Sequence, residues 1–230
     1  MCGKYDIIVV GAGHAGCEAA LAGARLGKKV LCITGQRNAI AEMSCNPAIG
    51  GLAKGHLVCE IDALGGEMGR AADDTAIQCR RLNMSKGPAV RATRTQNDRT
   101  LYRERMTCVL ENQVGLEIRE AVAADILVDD GAVKGVSLDD GEMIFSGNVI
   151  ITTGTFLKGL LHFGMDHCEG GRIGGFASRK LSDSLKRLGF ELGRLKTGTC
   201  PRLKKDTIDF SALLEQKSDD PLPRFTRYYN

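Results

Sequence analysis

Cys45 stands in the run Met43-Ser44-Cys45-Asn46-Pro47-Ala48-Ile49-Gly50-Gly51, 29 residues beyond Gly16, the last glycine of Gly11-Ala12-Gly13-His14-Ala15-Gly16. A thiol can act as a nucleophile once it is a thiolate, and it can form a transient adduct with a substrate. The glycine turn has the form of a dinucleotide fingerprint. Its first glycine makes the tight turn, the second lets backbone approach a pyrophosphate, and the third lets helix and strand pack closely. In such folds the stretch after the second strand runs along the bound cofactor, so Cys45 is placed for chemistry beside it. A buried, inert thiol is the alternative reading.

The elements needed to position these groups are legible. Tyr5-Asp6-Ile7-Ile8-Val9-Val10 is a short apolar run closed by glycine, as a buried parallel strand is. Residues 16–26 carry alanine and leucine at helical spacing, stopped by Gly27, and 29–34 read as a second parallel strand. Strand, turn, helix and strand make a βαβ unit with a right-handed crossover. Phosphates would sit at the positive N-terminal end of the helix. An acidic residue usually follows the second strand to hold the adenosine ribose, but here the chain reads Thr34-Gly35-Gln36. Thr34, Gln36 or backbone must hold the ribose, which favours FAD over simple NAD binding.

Helices are predicted over 51–64 and from about residue 96 to 111, and a third parallel strand over 116–119. Three short β segments follow, 122–128, 133–138 and 143–145, separated by Asp129-Asp130-Gly131 and Asp139-Asp140-Gly141, and Asp-Gly is a strong hairpin signal. Residues 149–154 return to the parallel sheet. Residues 178–188 read as a helix with Ser178 at or near its N-cap, and 197–230 as irregular chain. The expected fold class is α/β: a Rossmann-like FAD-binding fold, glutathione-reductase-like, in which a parallel sheet with helices is joined by a small antiparallel β-meander.

Composition narrows the class further. With 43% hydrophobic residues and 29 glycines in 230, the chain reads as soluble, globular and loop-rich. Its net charge is +3, unevenly spread: eight basic residues against two acidic over 80–105, ten against two over 172–205, and eight acidic against two basic over 117–142. Two basic zones could grip a polyanion such as RNA, or could be solvated helix faces. Nine cysteines, at 2, 17, 32, 45, 59, 79, 108, 168 and 200, contain no Cys-x-x-Cys pair, so no zinc knuckle or thioredoxin-type site is suggested and no metal is expected. No signal peptide precedes the first strand, and no apolar stretch reaches about 18 residues. These features predict a reducing, cytoplasmic setting without a membrane.

Flavin disulfide reductases place a second cysteine where Gly50 stands, so Cys45 would work as a single thiol. Met43 to Gly51, continuing as Leu52-Ala53-Lys54-Gly55-His56-Leu57-Val58 and Glu60-Ile61-Asp62-Ala63-Leu64-Gly65-Gly66, closely resembles the glucose-inhibited division protein A family. These are the large flavin subunits of the bacterial tRNA wobble-uridine 5-carboxymethylaminomethyl modification enzyme. Further matches are Asn83-Met84-Ser85-Lys86-Gly87-Pro88-Ala89-Val90-Arg91-Ala92-Thr93-Arg94, Thr153-Gly154-Thr155-Phe156-Leu157 and Gly193-Arg194-Leu195-Lys196-Thr197-Gly198-Thr199.

The resemblance implies an enzyme that binds FAD, reduces it with NADH and takes a carbon from methylenetetrahydrofolate. With a GTPase partner it modifies carbon 5 of the wobble uridine of tRNA, and the full-length protein is expected to be a homodimer. It implies Cys45 as the catalytic cysteine, and FAD contacts at Gly11, Ala12, Gly13, His14, Ala15, Gly16, Ala123 and Ser178. It also gives weight to Lys86, Arg91, Arg94, Arg99 and Arg103 as a tRNA or folate surface. Cys200 departs from the family's usual proline. Family chains are longer, so residues 1–198 are expected to be an incomplete FAD-binding domain and 199–230 the start of an inserted second domain. The NADH site would lie outside this chain, which alone is expected to be inactive and to bind FAD weakly. Two alternatives are a folate- and FAD-dependent tRNA uracil-5-methyltransferase and a non-catalytic flavin- or RNA-binding module.

Overall fold

A computed structural model describes residues 4–175, 177–198 and 200–227; Cys2 and Thr199 lie outside them. In chain order the elements are β1 (Ile7–Val10), α1 (His14–Arg25), β2 (Val30–Thr34), β3 (Ala48–Gly50), α2 (Lys54–Ala63), α3 (Met68–Asp74), β4 (Ala76–Leu82), β5 (Ala92–Asn97) and α4 (Arg99–Glu111). There follow β6 (Leu116–Glu120), β7 (Ala123–Asp129), β8 (Ala132–Leu138), β9 (Met143–Phe145), β10 (Val149–Ile151), β11 (Leu160–Phe163), β12 (Asp166–Glu169) and α5 (Lys180–Arg187). The chain divides into two compact units, 1–42 with 103–193, and 43–102 with 194–230.

The first unit holds a parallel sheet in the order β10-β1-β2-β6 and an antiparallel meander β7-β8-β9. All five residues of β2 are buried, as expected of a parallel strand covered on both faces. Helix α1 lies close on the sheet because its packed side is small: Gly16, Cys17, Ala20, Leu21, Gly23 and Ala24 are buried. A Cβ on Gly23 would come within 3.0 Å of both Ile7 and Val30. Leu26 is the C-cap, and Gly27 follows at a φ of +76°. Ile8, Val10, Leu31 and Ile33 share one core with Val136, Leu138 and Ile144 of the meander and Leu181 of α5. Each such side chain contributes roughly 1.5–3 kcal/mol through burial.

Helix α5 buries Leu181, Ser182, Ser184 and Leu185. Its docking is polar as well: Ile126 N–H donates to Ser184 Oγ at 3.0 Å, and Arg187 pairs with Asp125 at 2.7 Å. The helix starts one residue later than a Ser178 cap would place it, with Arg179 as N-cap and no side chain capping it. Ser178 instead spends its backbone on the loop before it, donating to Phe156 O at 2.8 Å and accepting from Lys158 N–H at 2.9 Å.

The second unit is built on a sheet that alternation of apolar residues did not announce, in the order β3-β5-β4, with α2 and α3 beside it. The helix expected from residue 96 begins at Arg99. Gln96 and Asn97 complete β5, and Asp98 caps the helix by accepting from Thr100 N–H at 2.9 Å and Leu101 N–H at 3.0 Å. Residues 216–226 lie along β4 and α3. Asp219 N–H donates to Cys79 O at 3.0 Å, and the Asp73 carboxylate accepts from the backbone of Phe225 and Thr226.

Candidate functional site

The turn after β1 is shaped by what its three glycines touch. Gly11 adopts a φ of +105°, and a Cβ there would lie 2.4 Å from the carbonyl oxygen of Thr152. Its N–H donates to Ile33 O at 2.8 Å, which ties the ends of β1 and β2 together. A Cβ on Gly16 would sit 1.8 Å from Gly11 O and 2.7 Å from Thr152 Oγ1. Around Gly13, by contrast, a Cβ would meet nothing within 4 Å. Gly13 is the N-cap of α1, and no side chain caps the helix or places an acid in its first turn. The packed side of the turn therefore excludes side chains while the middle glycine faces open space. Backbone N–H groups at a helix start favour an anion through both hydrogen bonding and the helix dipole.

Ala12 is buried, and its carbonyl accepts from Ala41 N–H at 2.8 Å. Gly13 and Ala15 are exposed, whereas desolvation pushes the His14 imidazole below its ordinary pKa. Thr34, one of the groups expected to hold a ribose, turns its hydroxyl to Gln36 O at 3.2 Å. The Gln36 side chain accepts from Arg172 at 3.2 Å, and Arg172 also pairs with Glu42 at 2.6 Å and lies over the Phe156 ring. Arg172 and Glu42 were not singled out from sequence. The arginine bound to Gln36, two residues after β2, comes from 136 positions further along the chain, and no local pattern announces it. Ala123 is buried at the start of β7, and the neighbouring Ala121 N–H donates to Thr34 O at 2.8 Å, which carries this segment to the end of β2.

In the second unit Cys45 is half-buried, with its thiol donating to Gly198 O at 3.5 Å. Arginines pin the backbone on either side of it. Arg202 donates to Cys45 O at 2.5 Å, and the Arg99 guanidinium donates to Met43 O. Gly50 could not be a second cysteine. Its φ is +79°, and a Cβ would lie 2.4 Å from Thr93 O and 2.6 Å from the Phe225 ring. Three other thiols are shielded: burial pushes Cys17 far up, raises Cys32 to about 12 and also raises Cys79, whereas Cys59, Cys108, Cys168 and Cys200 are exposed.

The basic residues separate into distinct settings. Lys86 and Arg91 are exposed in the β4–β5 connection, where Arg91 Nε–H donates to Lys86 O at 3.1 Å. Arg94 is half-buried in β5, and Arg103 is half-buried on α4. Arg99 is committed to the Met43 carbonyl. Among the described residues no helix is long and apolar enough to cross a membrane.

Comparison with known proteins places the chain. The family model described as "Glucose inhibited division protein A" matches residues 6–230. A protein of Pelobacter propionicus, called tRNA uridine 5-carboxymethylaminomethyl modification enzyme MnmG, is 56% identical over 223 residues, covering 97% of this chain and 36% of the relative. The protein of the same name from Geobacter metallireducens is 58% identical over 218 residues, covering 95% of this chain and 35% of its own length. The crystal structure of Aquifex aeolicus GidA superposes with a TM-score of 0.94 at 49% identity, over 99% of this chain and 38% of that one. The GidA-related protein from Thermus thermophilus, at 24% identity and a TM-score of 0.60, shares the fold. The chain thus spans about 36% of the length of a curated relative that it matches. With its α/β Rossmann-like architecture and its match over residues 6–230, the chain belongs to the glucose inhibited division protein A family.

Proposed function

We infer that the chain is the N-terminal, flavin-binding part of an enzyme that modifies the wobble uridine of tRNA. The observation that carries this reading is the contrast within the turn: Gly11 and Gly16 admit no side chain, while Gly13 opens onto free space at the uncapped start of α1. That cradle suits a pyrophosphate. Backbone at Gly11, Ala12, Gly13, His14, Ala15 and Gly16, main chain at Ala123 and the side chain of Ser178 would hold FAD. When bound, the flavin supplies redox chemistry and relay of a one-carbon unit.

Cys45 is the proposed nucleophile. Addition of its sulfur to carbon 6 of uracil makes carbon 5 nucleophilic toward an electrophilic carbon. The Gly198 carbonyl orients the S–H, and Arg202 and Arg99 hold the backbone that carries it. Methylenetetrahydrofolate is the proposed carbon donor and NADH the reductant, its site outside this chain. A GTPase subunit is the proposed partner, and the full-length protein a homodimer in the cytoplasm. Residues 1–198 would belong to the FAD-binding domain and 199–230 would begin an inserted one.

The test has two readouts: the visible flavin band retained after reconstitution with FAD and desalting, and retention of a tRNA anticodon stem-loop at moderate salt. A protein that stays colourless and releases the RNA defeats this reading for the chain. In the full-length protein, Cys45→Ser is expected to abolish wobble modification while leaving FAD bound.

A further inference from the structure

Arg80 of β4 and Arg94 of β5 are direct cross-strand partners on one face of the β3-β5-β4 sheet. Side chains so placed have Cβ atoms about 5 Å apart, and like charges in that relation destabilise a sheet. The neighbouring pair on the same face, Gln78 and Gln96, is also polar. Arg80 is balanced, with its Nε 3.5 Å from Asp219 Oδ1. Arg94 is not balanced in the same way. Its Nε is buried and has no hydrogen-bond acceptor among the described residues. A buried N–H left unmet costs about 1–3 kcal/mol, more for a charged group. The residue opposite Arg94 in β3 is Gly50, which brings no side chain of its own and has the Phe225 ring where its Cβ would be. The adjacent Gly51 comes near the stem of Arg94 only as bare backbone, a Cβ there lying 3.9 Å from Arg94 Cδ. An arginine with an unmet donor beside the open surface of Gly51, with a second arginine opposite it on the next strand, offers a receptor for an oxyanion. Arginine meets phosphate or carboxylate through paired charge-assisted hydrogen bonds.

We propose that Arg94, with Arg80 opposite, binds one phosphate-type oxyanion of a ligand in the open space beside Gly51. The site deepens the reading of the chain as RNA-modifying, on which its assignment to a substrate rests. The exposed Lys86 and Arg91 lie in the β4–β5 connection beyond it, so a phosphodiester backbone could continue from the buried contact onto the surface. Arg94 then differs in kind from its basic neighbours: they would add salt-dependent attraction, whereas Arg94 fixes the register of one phosphate. Gly51 directly follows β3, the strand that continues the Cys45 segment, so an anion seated there is positioned relative to the thiol by five intervening residues of loop and strand, Asn46 to Gly50, rather than by a flexible side chain.

The test is a titration of the chain followed through arginine Nε–Hε signals in NMR, with Arg94→Lys identifying the Arg94 signal by its loss. Inorganic phosphate is the first probe, with sodium chloride at matched ionic strength as control. The Arg94 signal is expected to shift and saturate with phosphate and to stay in place with chloride. Arg94→Gln should weaken the phosphate response of the Arg80 signal at least tenfold. It should also leave the thermal midpoint unchanged or higher, because it removes an unmet donor and a like-charge pair. A short anticodon stem-loop RNA is the second probe. Saturation by RNA at lower concentration than phosphate assigns the anion to a phosphodiester, and a response to phosphate alone assigns it to a small anionic ligand. The site stands in either case, and the second outcome counts against the RNA reading alone. No shift with either probe, or a midpoint lowered by several degrees in Arg94→Gln, overturns the proposal.

Discussion

The glycines of the β1–α1 turn make a prediction in which two identical substitutions have opposite readouts. Gly16→Ala places a methyl 1.8 Å from Gly11 O, and neither group can easily retreat. Gly11 is held by its 2.8 Å bond to Ile33 O, and Thr152 stands behind it with its hydroxyl 3.0 Å from Gly11 O. In a helix interior alanine gains up to about 1 kcal/mol over glycine. Overpacking costs about 1–3 kcal/mol and more where backbone must move. The contact is against backbone, so the upper end applies, and the net expectation is a loss of about 2 kcal/mol. Gly13→Ala has no such clash, since the position is extended (φ −73°, ψ −170°) with open space around it. An N-cap glycine replaced by alanine costs about 1 kcal/mol or less. Its methyl does enter the volume a pyrophosphate needs, so nucleotide affinity should fall. Urea unfolding followed by circular dichroism measures the first quantity, and titration with ADP or FAD the second. If Gly16→Ala is as stable as the parent, or Gly13→Ala is the more damaging to stability, the account of the turn is wrong.

Thiol accessibility gives a second check. In native protein Cys45 should react with an aromatic disulfide reagent while Cys17 and Cys32 stay protected until unfolding, as peptide mapping by mass spectrometry would show. Gly50→Ala should destabilise the chain by about 2 kcal/mol or more, because the new methyl meets Thr93 O and the Phe225 ring and the backbone has a left-handed φ. Asp73 offers a pH test with a defined sign. Desolvation raises its pKa above 3.8 despite the N–H groups of Thr226 and Phe225 that favour the carboxylate. The contribution of a raised carboxyl is fully present below its unfolded pKa and is lost as pH rises through the folded value. Asp73→Asn should therefore flatten the pH dependence of unfolding free energy just above pH 3.8, while weakening the attachment of residues 225–226. An unchanged slope would contradict that assignment.

Legibility followed the distance over which each feature is encoded. β1, α1, β2, β6 and β10 could be read because a buried parallel strand is a continuous apolar run and a glycine-to-helix junction is local. The meander could be read because Asp-Gly turns mark it. β5 could not: Ala92-Thr93-Arg94-Thr95-Gln96-Asn97 has no apolar face. Thr93, Thr95 and Asn97 are buried, and the last two are held by polar bonds, Thr95 Oγ1 to Asn97 Oδ1 at 2.7 Å and Asn97 Nδ2 to Ala72 O at 2.6 Å. A strand buried on hydroxyls and amides looks like a helix lead-in or a loop to any rule based on hydropathy. The outward face of that strand is equally uninformative in sequence, since Arg94 reads as one basic residue among eight over 80–105. Only cross-strand register separates it from Lys86 and Arg91, by setting it against Arg80 on one side and Gly50 on the other. The same limit applies to Arg172, whose partners Gln36 and Glu42 are more than a hundred residues away. In this chain, then, the motif glycines can be named from spacing and Cys45 from its position together with the resemblance, whereas Arg94 and Arg172 acquire their surroundings from pairing across strands and loops.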